Sequence, residues 1–173
     1  GYGSGIIVEG AGFFLNNEMD DFSVKAGVPN YFGLVGNDAN AIEPGKRPLS
    51  SMTPTIVLKK NKPFIILGSP GGSRIITTVL QTILNVTIHN MSIQEAVFAP
   101  RVHSQWLPDV IMVEPRSVNK DVRKLLKQKG HKISPYIIYS GMEMIGEMNA
   151  ILINEIGYFG GADKRGENTA IGY

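Results

Sequence analysis

The chain has 173 residues, enough for one domain with a hydrophobic core, and we expect residues 1–173 to form a single domain. Hydrophobic residues make up 43% of the chain and charged residues 18%, a composition that excludes intrinsic disorder. The net charge of +2 gives no indication of nucleic-acid binding, and the lack of cysteine excludes disulfides, thiolate metal sites and cysteine nucleophiles.

The first residues predict two short strands and an acidic turn. The apolar runs Ile6–Val8 and Phe13–Leu15 flank a glycine-rich turn, and such runs are typical of strands covered on both faces. Glu18, Asp20 and Asp21 then crowd four positions, where like charges need a cation, a metal or solvent between them. A solvated acidic turn is the simplest interpretation of these residues alone.

The rest of the chain predicts strands, helices and further strands, an order that favours an α+β layered domain. A hairpin is expected over residues 53–67, where two apolar runs flank polar turn residues. The capping-box pair Ser92 and Glu95 begins a helix that Pro100 ends. The other predicted elements are a helix that follows Gly72 and runs to about Asn85, a strand over Val110–Val113, a helix over Ser117–Lys129, and strands around Lys132–Ile138, Ala150–Asn154 and Tyr158–Gly161.

The turn between the hairpin and the first of these helices is the most informative segment. Gly71 and Gly72 leave backbone N–H groups without a neighbouring Cβ, and the helix N-terminus adds partial positive charge. Such a turn binds negative charge, either an anion or the oxyanion of an acyl-transfer intermediate. A plain tight turn explains the two glycines equally well, and a phosphate-binding loop is less favoured because its lysine is missing.

Three further segments have a simple interpretation and a functional one. The glycine- and proline-rich segment 23–48 predicts a long loop, and long ordered loops are often functional. The hydroxyls of Ser50 and Ser51 can bind a carboxylate, although turn capping is simpler. Six Lys or Arg residues in 120–132 indicate a solvated helix surface, since no aromatic residue interleaves them. No serine or threonine lies in a recognisable nucleophile motif.

Taken in order, these segments resemble the small subunit of gamma-glutamyltranspeptidase, an N-terminal-nucleophile hydrolase. The resemblance covers nearly the whole chain and rests on long, specific motifs. They are LNNEMDDFS at 15–23, GLVGNDANA at 33–41, GKRPLSSMTPTIV at 45–57, GSPGGSRIITTVLQ at 68–81, APR at 99–101 and QWLP at 105–108.

The resemblance implies an αββα sandwich of the N-terminal-nucleophile hydrolase type, incomplete in this chain. It implies a precursor that cleaves itself, and a new N-terminal threonine, expected upstream of this chain, as nucleophile with its own α-amine as base. That threonine takes the γ-glutamyl group of glutathione or a similar compound as an acyl-enzyme. Water, an amino acid or a peptide amine then accepts the group, and no cofactor or metal is implied.

Site residues also follow from the resemblance, motif by motif. Glu18 and Asp21 are expected to hold the substrate α-ammonium, and Ser50–Ser51 to donate to its α-carboxylate. The backbone N–H groups of Gly71–Gly72 are expected to form the oxyanion hole. The loop around 25–37 resembles a lid that often contains a tyrosine. The pair Tyr31-Phe32 lies there, with Phe32 at the tyrosine position, which leaves Tyr31 as the candidate hydrogen-bond donor.

The expected partner is the large subunit of the same precursor, which should supply an arginine for the substrate carboxylate. This chain alone is therefore expected to be inactive. Family resemblance places the protein in the periplasm or outside the cell, and no apolar run is long enough for a membrane span. A poly-γ-glutamate-cleaving relative and a non-catalytic amino-acid-binding paralogue are the two alternatives.

Overall fold

A computed structural model describes residues 3–30, 33–136 and 144–172. The chain divides into two compact units, Gly1–Met52 and Thr53–Tyr173. The expectation of a single domain over the whole chain stays a prediction.

The first unit contains little regular structure. The two predicted short strands pair through a single bridge between Ile7 and Phe14. Five of the six apolar side chains in these two runs are 43–60% exposed, so the described chain does not provide the cover that their apolar character predicts. Two single-turn 3-10 helices follow, Glu18–Asp21 and Asp38–Asn40.

The second unit contains three helices and seven strands among its described residues. In chain order they are β1 (Thr55–Lys59), β2 (Lys62–Gly68), α1 (Arg74–Thr87), α2 (Ile93–Phe98), β3 (Val102–Ser104), β4 (Ile111–Val113), α3 (Lys120–Gln128), β5 (Ile133–Pro135), β6 (Asn149–Ile153) and β7 (Tyr158–Ala162). All are expected from the sequence except β3. The strand predicted to reach Ile138 is described only to Pro135, and its last two predicted residues lie outside the described ranges.

The larger sheet is antiparallel with strand order β1-β2-β6-β7. The hairpin β1-β2 turns at Lys60 and Asn61, both with positive φ, as in the turns whose twist matches paired strands. Helices α1 and α2 contribute to the main core on one face, where Ile65 and Leu67 of β2 are buried.

The opposite face of this sheet is apolar and open. Ile56, Ile66 and Ile151 are register partners across β1, β2 and β6, and they are 61%, 38% and 41% exposed. Strand β2 is therefore buried on one face in the described chain, whereas its apolar run predicts cover on both.

The smaller sheet has strand order β3-β4-β5, with β3-β4 antiparallel and β4-β5 parallel. A small core of Val110, Met112, Tyr136 and Ile145 lies beside it. Helix α3 forms where the sequence predicts. The helical spacing of Val122 and Leu125 predicts that both face the core, but they are 42% and 56% exposed. The periodicity therefore gave the element correctly but not its burial.

Candidate active site

The acidic turn and the paired serines meet in the first unit. Ser51 Oγ donates a hydrogen bond of 3.3 Å to Asp21 Oδ1. Both residues are half-buried, whereas Glu18, three residues earlier on the same 3-10 turn, is exposed. A carboxylate and a hydroxyl held side by side can bind a group that carries both a cation and an anion.

Asn40 braces this arrangement from the long loop. Its amide nitrogen donates to the Asp21 carbonyl at 2.6 Å, and its amide oxygen accepts from the Leu49 N–H at 3.1 Å. The acidic turn and the segment before the serines are thus tied to one side chain. Sequence reasoning missed Asn40, although the residue lies inside the GNDANA segment that carries part of the resemblance.

Ser50 is exposed and caps a turn, since its hydroxyl oxygen accepts from the Met52 N–H at 3.3 Å. This is the simple role that its sequence context predicts, and the hydroxyl hydrogen is still available for another acceptor. The candidate lid residues Tyr31 and Phe32 lie outside the described residues.

The glycine turn connects β2 to α1. Gly71 and Gly72 have φ values of 140° and 57°, which side-chain-bearing residues rarely adopt. Their carbonyls accept from the N–H groups of Arg74 and Ile75, both at 3.1 Å, and so begin the helix. Neither glycine N–H donates to another described residue. Two unpaired N–H groups at the N-terminus of a 14-residue helix can bind an oxyanion.

A buried ionic cluster of four side chains lies in the same unit. Arg101 Nη2 binds Asp163 Oδ2 at 2.7 Å, and Arg165 binds both Asp163 (2.9 Å) and Glu114 (2.6 Å). All four side chains are at most 4% exposed. Asp163 Oδ2 also accepts from the Met148 N–H at 2.7 Å.

The pKa values within the cluster shift in different directions: those of Asp163 and Arg165 move so as to keep the charge, whereas burial and the charge of Arg165 lower the pKa of Arg101. Burial raises the pKa of the Asp163 carboxyl, but the hydrogen bond from Met148 and the charge of Arg101 outweigh it, and the net pKa lies below its usual range. Burial lowers the pKa of Arg165, yet Glu114 and Asp163 raise it above the ordinary value overall. Two cations and two carboxylates thus compensate one another away from water.

His103 is a second buried titratable group. Its Nδ1 lies 2.8 Å from Thr77 Oγ1, and its Nε2 lies 2.7 Å from Gln105 Oε1. Burial lowers the pKa of this imidazole, and the charge of Arg74 adds to that effect, against the opposing effect of the hydrogen bond to Gln105. The ring is therefore held neutral near pH 7.

The described residues contain neither a candidate metal-binding group nor a candidate membrane-spanning helix. Among the described residues, no three His, Cys, Asp or Glu side chains form a group that could hold a metal ion. Within the same ranges, no helix has the length and apolar character needed to cross a membrane.

Comparison with known proteins identifies the family. The family model described as gamma-glutamyltranspeptidase matches residues 1–173. A relative from Escherichia coli K12, a glutathione hydrolase proenzyme, is 48% identical over 99% of this chain. The match covers 29% of that relative, so the chain spans about three tenths of its length.

Solved structures agree with the sequence comparison. A mutant of Helicobacter pylori gamma-glutamyltranspeptidase is 54% identical with a TM-score of 0.84, covering 96% of this chain and 88% of the other. The Pseudomonas nitroreducens gamma-glutamyltranspeptidase complexed with L-DON is 44% identical with a TM-score of 0.85, covering 99% and 88%. The α+β fold of the N-terminal-nucleophile hydrolase type is therefore confirmed. The chain belongs to the gamma-glutamyltranspeptidase family.

Proposed function

We propose that the full-length protein transfers γ-glutamyl groups and hydrolyses glutathione through a γ-glutamyl acyl-enzyme. The family assignment supports this reaction, and the Escherichia coli relative is named a glutathione hydrolase proenzyme. The contact between Ser51 and Asp21 is the observation that best supports the proposal. It places a hydroxyl beside a carboxylate, and the substrate has a carboxylate beside an ammonium.

The γ-glutamyl group ends in an α-amino acid, whose ammonium and carboxylate share one carbon. A site for this head needs an acceptor for the ammonium directly beside a donor for the carboxylate. Asp21 provides the acceptor, and Ser51 at 3.3 Å provides the donor when its hydroxyl hydrogen turns from Asp21 to the substrate carboxylate. Glu18 on the same turn adds a second carboxylate for the ammonium, and Ser50 adds a second hydroxyl.

The reacting carbonyl is proposed to bind at the glycine turn. The unpaired N–H groups of Gly71 and Gly72 stabilise the oxyanion that forms when the nucleophile attacks. The nucleophile is proposed to be a threonine that precedes this chain in the precursor, with its α-amine as the base. The acyl-enzyme is then released to water or to the amine of an amino acid or peptide.

A large subunit from the same precursor is the proposed partner. The open apolar row of Ile56, Ile66 and Ile151 supports it, since an exposed patch of this kind marks an interaction surface. Relatives named as proenzymes fit a cleaved precursor. The proposed location is the periplasm or outside the cell. The two alternatives, a poly-γ-glutamate-cleaving enzyme and a non-catalytic paralogue, are less favoured because the curated relatives are named glutathione hydrolases.

The test uses the full-length precursor, with release of the anilide from a γ-glutamyl anilide and of glutamate from glutathione as readouts. Gly71→Ala should lower kcat by at least about tenfold, since loss of one oxyanion donor typically costs about 10²–10³ in rate. A Cβ at Gly71 would lie 3.7 Å or more from its neighbours, so the substitution changes the backbone without a clash.

Gly157→Ala is the matched control, because Gly157 has a similar φ of 153° and open space around it. It should leave kcat within about twofold of wild type. Glutamate binding without turnover in wild type would overturn the proposal in favour of the non-catalytic paralogue. Faster turnover of poly-γ-glutamate than of glutathione would favour the other alternative.

A further inference from the structure

Ser69 links the glycine turn to the segment that precedes β6. Its hydroxyl donates to the carbonyl oxygen of Pro70 at 2.8 Å and accepts from the N–H of Glu147 at 2.9 Å. The hydroxyl therefore uses its only hydrogen on the turn and a lone pair on the other segment.

The carbonyl that Ser69 holds belongs to the same peptide unit as the Gly71 N–H. Leu107-Pro108 is the one cis peptide bond among the described residues, so the bond between Pro70 and Gly71 is trans. In a planar trans peptide, the C=O and N–H point in opposite directions. A hydrogen bond that fixes the carbonyl of Pro70 consequently fixes the direction of the Gly71 N–H.

We propose that Ser69 is a positioning residue for the oxyanion-binding N–H of Gly71. This inference rests on the proposed function, which assigns the N–H to the oxyanion hole. Ser69 does not touch the reacting atoms; it sets the orientation of a peptide unit whose opposite end does.

Close packing at Gly146 supports the assignment independently. A Cβ on Gly146 would lie 2.8 Å from both Ser69 Oγ and Thr78 Oγ1, and its φ is 66°. A Cβ on Gly71 would lie 3.7 Å from the Gly146 Cα. The segment around Gly146 thus lies against the Ser69 hydroxyl and the glycine turn, which leaves the hydroxyl little room for another orientation.

The same segment is anchored by the buried ionic cluster. Arg101 donates to the Ile145 carbonyl at 2.7 Å, Glu114 accepts from the Ile145 N–H, and Asp163 accepts from the Met148 N–H. Glu147, which donates to Ser69, lies between these two anchored residues. The cluster therefore anchors, on both sides of Glu147, the segment from which Ser69 receives a hydrogen bond.

Removing the hydroxyl should affect the transition state more than substrate binding. In Ser69→Ala, the Pro70 carbonyl and the Glu147 N–H both lose a partner, and the peptide unit is free to rotate. A rotated unit turns its N–H away from the oxyanion, whose charge develops only during reaction. The amino-acid head is bound by other residues and is unaffected by this rotation.

The experiment compares Ser69→Ala with wild type in the full-length protein. With a γ-glutamyl anilide, we expect kcat to fall about tenfold or more while KM stays within about twofold. A boronate analogue of the γ-glutamyl group, which forms a tetrahedral adduct with a hydroxyl nucleophile, should lose affinity by the same factor as kcat/KM. Affinity for the product glutamate should not change, which also shows that the variant is folded.

Ser4→Ala is the matched control, since the Ser4 hydroxyl likewise donates to a backbone carbonyl, that of Leu15, and accepts from a backbone N–H, that of Ile6. It should leave kcat and boronate affinity at wild-type values. If Ser69→Ala accumulates as uncleaved precursor, the two subunits are co-expressed separately, with the threonine exposed by a protease, and the same constants are measured.

Three results overturn the inference. A wild-type kcat in Ser69→Ala would show that the Ser69 hydroxyl does not fix the orientation of the Gly71 N–H. Equal losses of boronate and glutamate affinity would make Ser69 a general structural residue. An inactive wild type would overturn the proposed function and this inference together, whereas an active wild type with an unaltered variant would overturn the inference alone.

Discussion

Ser51 and Asp21 form a hydrogen bond of 3.3 Å between a hydroxyl and a carboxylate that lie 30 residues apart in sequence. In the proposed site, these two groups bind opposite ends of the same zwitterion. Each is thus kept in place by the other before substrate arrives, which lowers the cost of ordering them on binding.

The first prediction concerns the charge of Asp21. Asp21→Asn should raise KM for γ-glutamyl substrates about 10-fold to 100-fold, because a hydrogen bond to a charged group contributes about 1.5–3 kcal/mol. Initial rates with a γ-glutamyl anilide measure this. Glu43→Gln, which removes an exposed carboxylate from the same unit, should leave KM within about twofold. An unchanged KM in Asp21→Asn would remove Asp21 from the ammonium site.

The second prediction tests the brace at Asn40. Asn40→Asp keeps an acceptor for the Leu49 N–H but loses the donor to the Asp21 carbonyl, whereas Asn40→Ala loses both. We expect KM to rise in both variants and more in the alanine variant, by about fivefold or more, since each neutral hydrogen bond contributes about 1 kcal/mol. Equal KM values in wild type and Asn40→Ala would show that the site does not depend on this brace.

The third prediction concerns the buried ionic cluster. Asp163→Asn leaves Arg101 and Arg165 without a shared carboxylate and should lower the free energy of unfolding by about 3–5 kcal/mol. Urea unfolding of the full-length protein measures this loss. Breaking the exposed pair of Lys46 and Glu43 with Glu43→Gln is the control and should cost below about 1 kcal/mol. A loss of the same size in both variants would contradict the role given to burial.

The fourth prediction is a pH dependence from His103. Its pKa in the folded state is lowered, so its contribution to stability is complete above the unfolded pKa of about 6.5 and is lost as the pH falls through the folded value. The unfolding free energy of wild type should therefore decrease from pH 7 to pH 5. The stabilising contribution of Asp163 stays constant over this window and is lost only at lower pH, because its folded pKa lies below the usual carboxyl range. In His103→Gln the decrease over this window should be smaller, and an unchanged slope would contradict the assignment.

Local signals in the sequence predicted the elements well. The capping box at Ser92 and Glu95 is confirmed, with both reciprocal hydrogen bonds present. The hairpin and α1 follow from apolar periodicity and turn residues. Strand β3 was missed because Val102 is its only aliphatic residue, so no apolar run marks it, and its pairing with β4 stabilises it.

Contacts between residues that lie far apart in the chain could not be predicted from the sequence. Individual residues showed where charges and hydroxyls lie, but the roles of Asp21 and Ser51 came from family resemblance. The Ser69 hydroxyl accepts a hydrogen bond from Glu147, which lies 78 positions later in the chain, and no local pattern indicates such a contact. Burial was likewise not predictable for helix α3, since its periodicity is helical but the described chain leaves Val122 and Leu125 exposed.

The ionic cluster also sets an order on biosynthesis. Arg101 and Glu114 enter the interior with partners that the ribosome adds much later, since Asp163 follows Arg101 by 62 positions and Arg165 follows Glu114 by 51. A nascent chain that stops before residue 163 holds two charges that cannot be buried without heavy cost. We therefore expect this region to fold only after residues 163–165 have been synthesised, and a chain cut before Asp163 to be exposed to quality-control proteases.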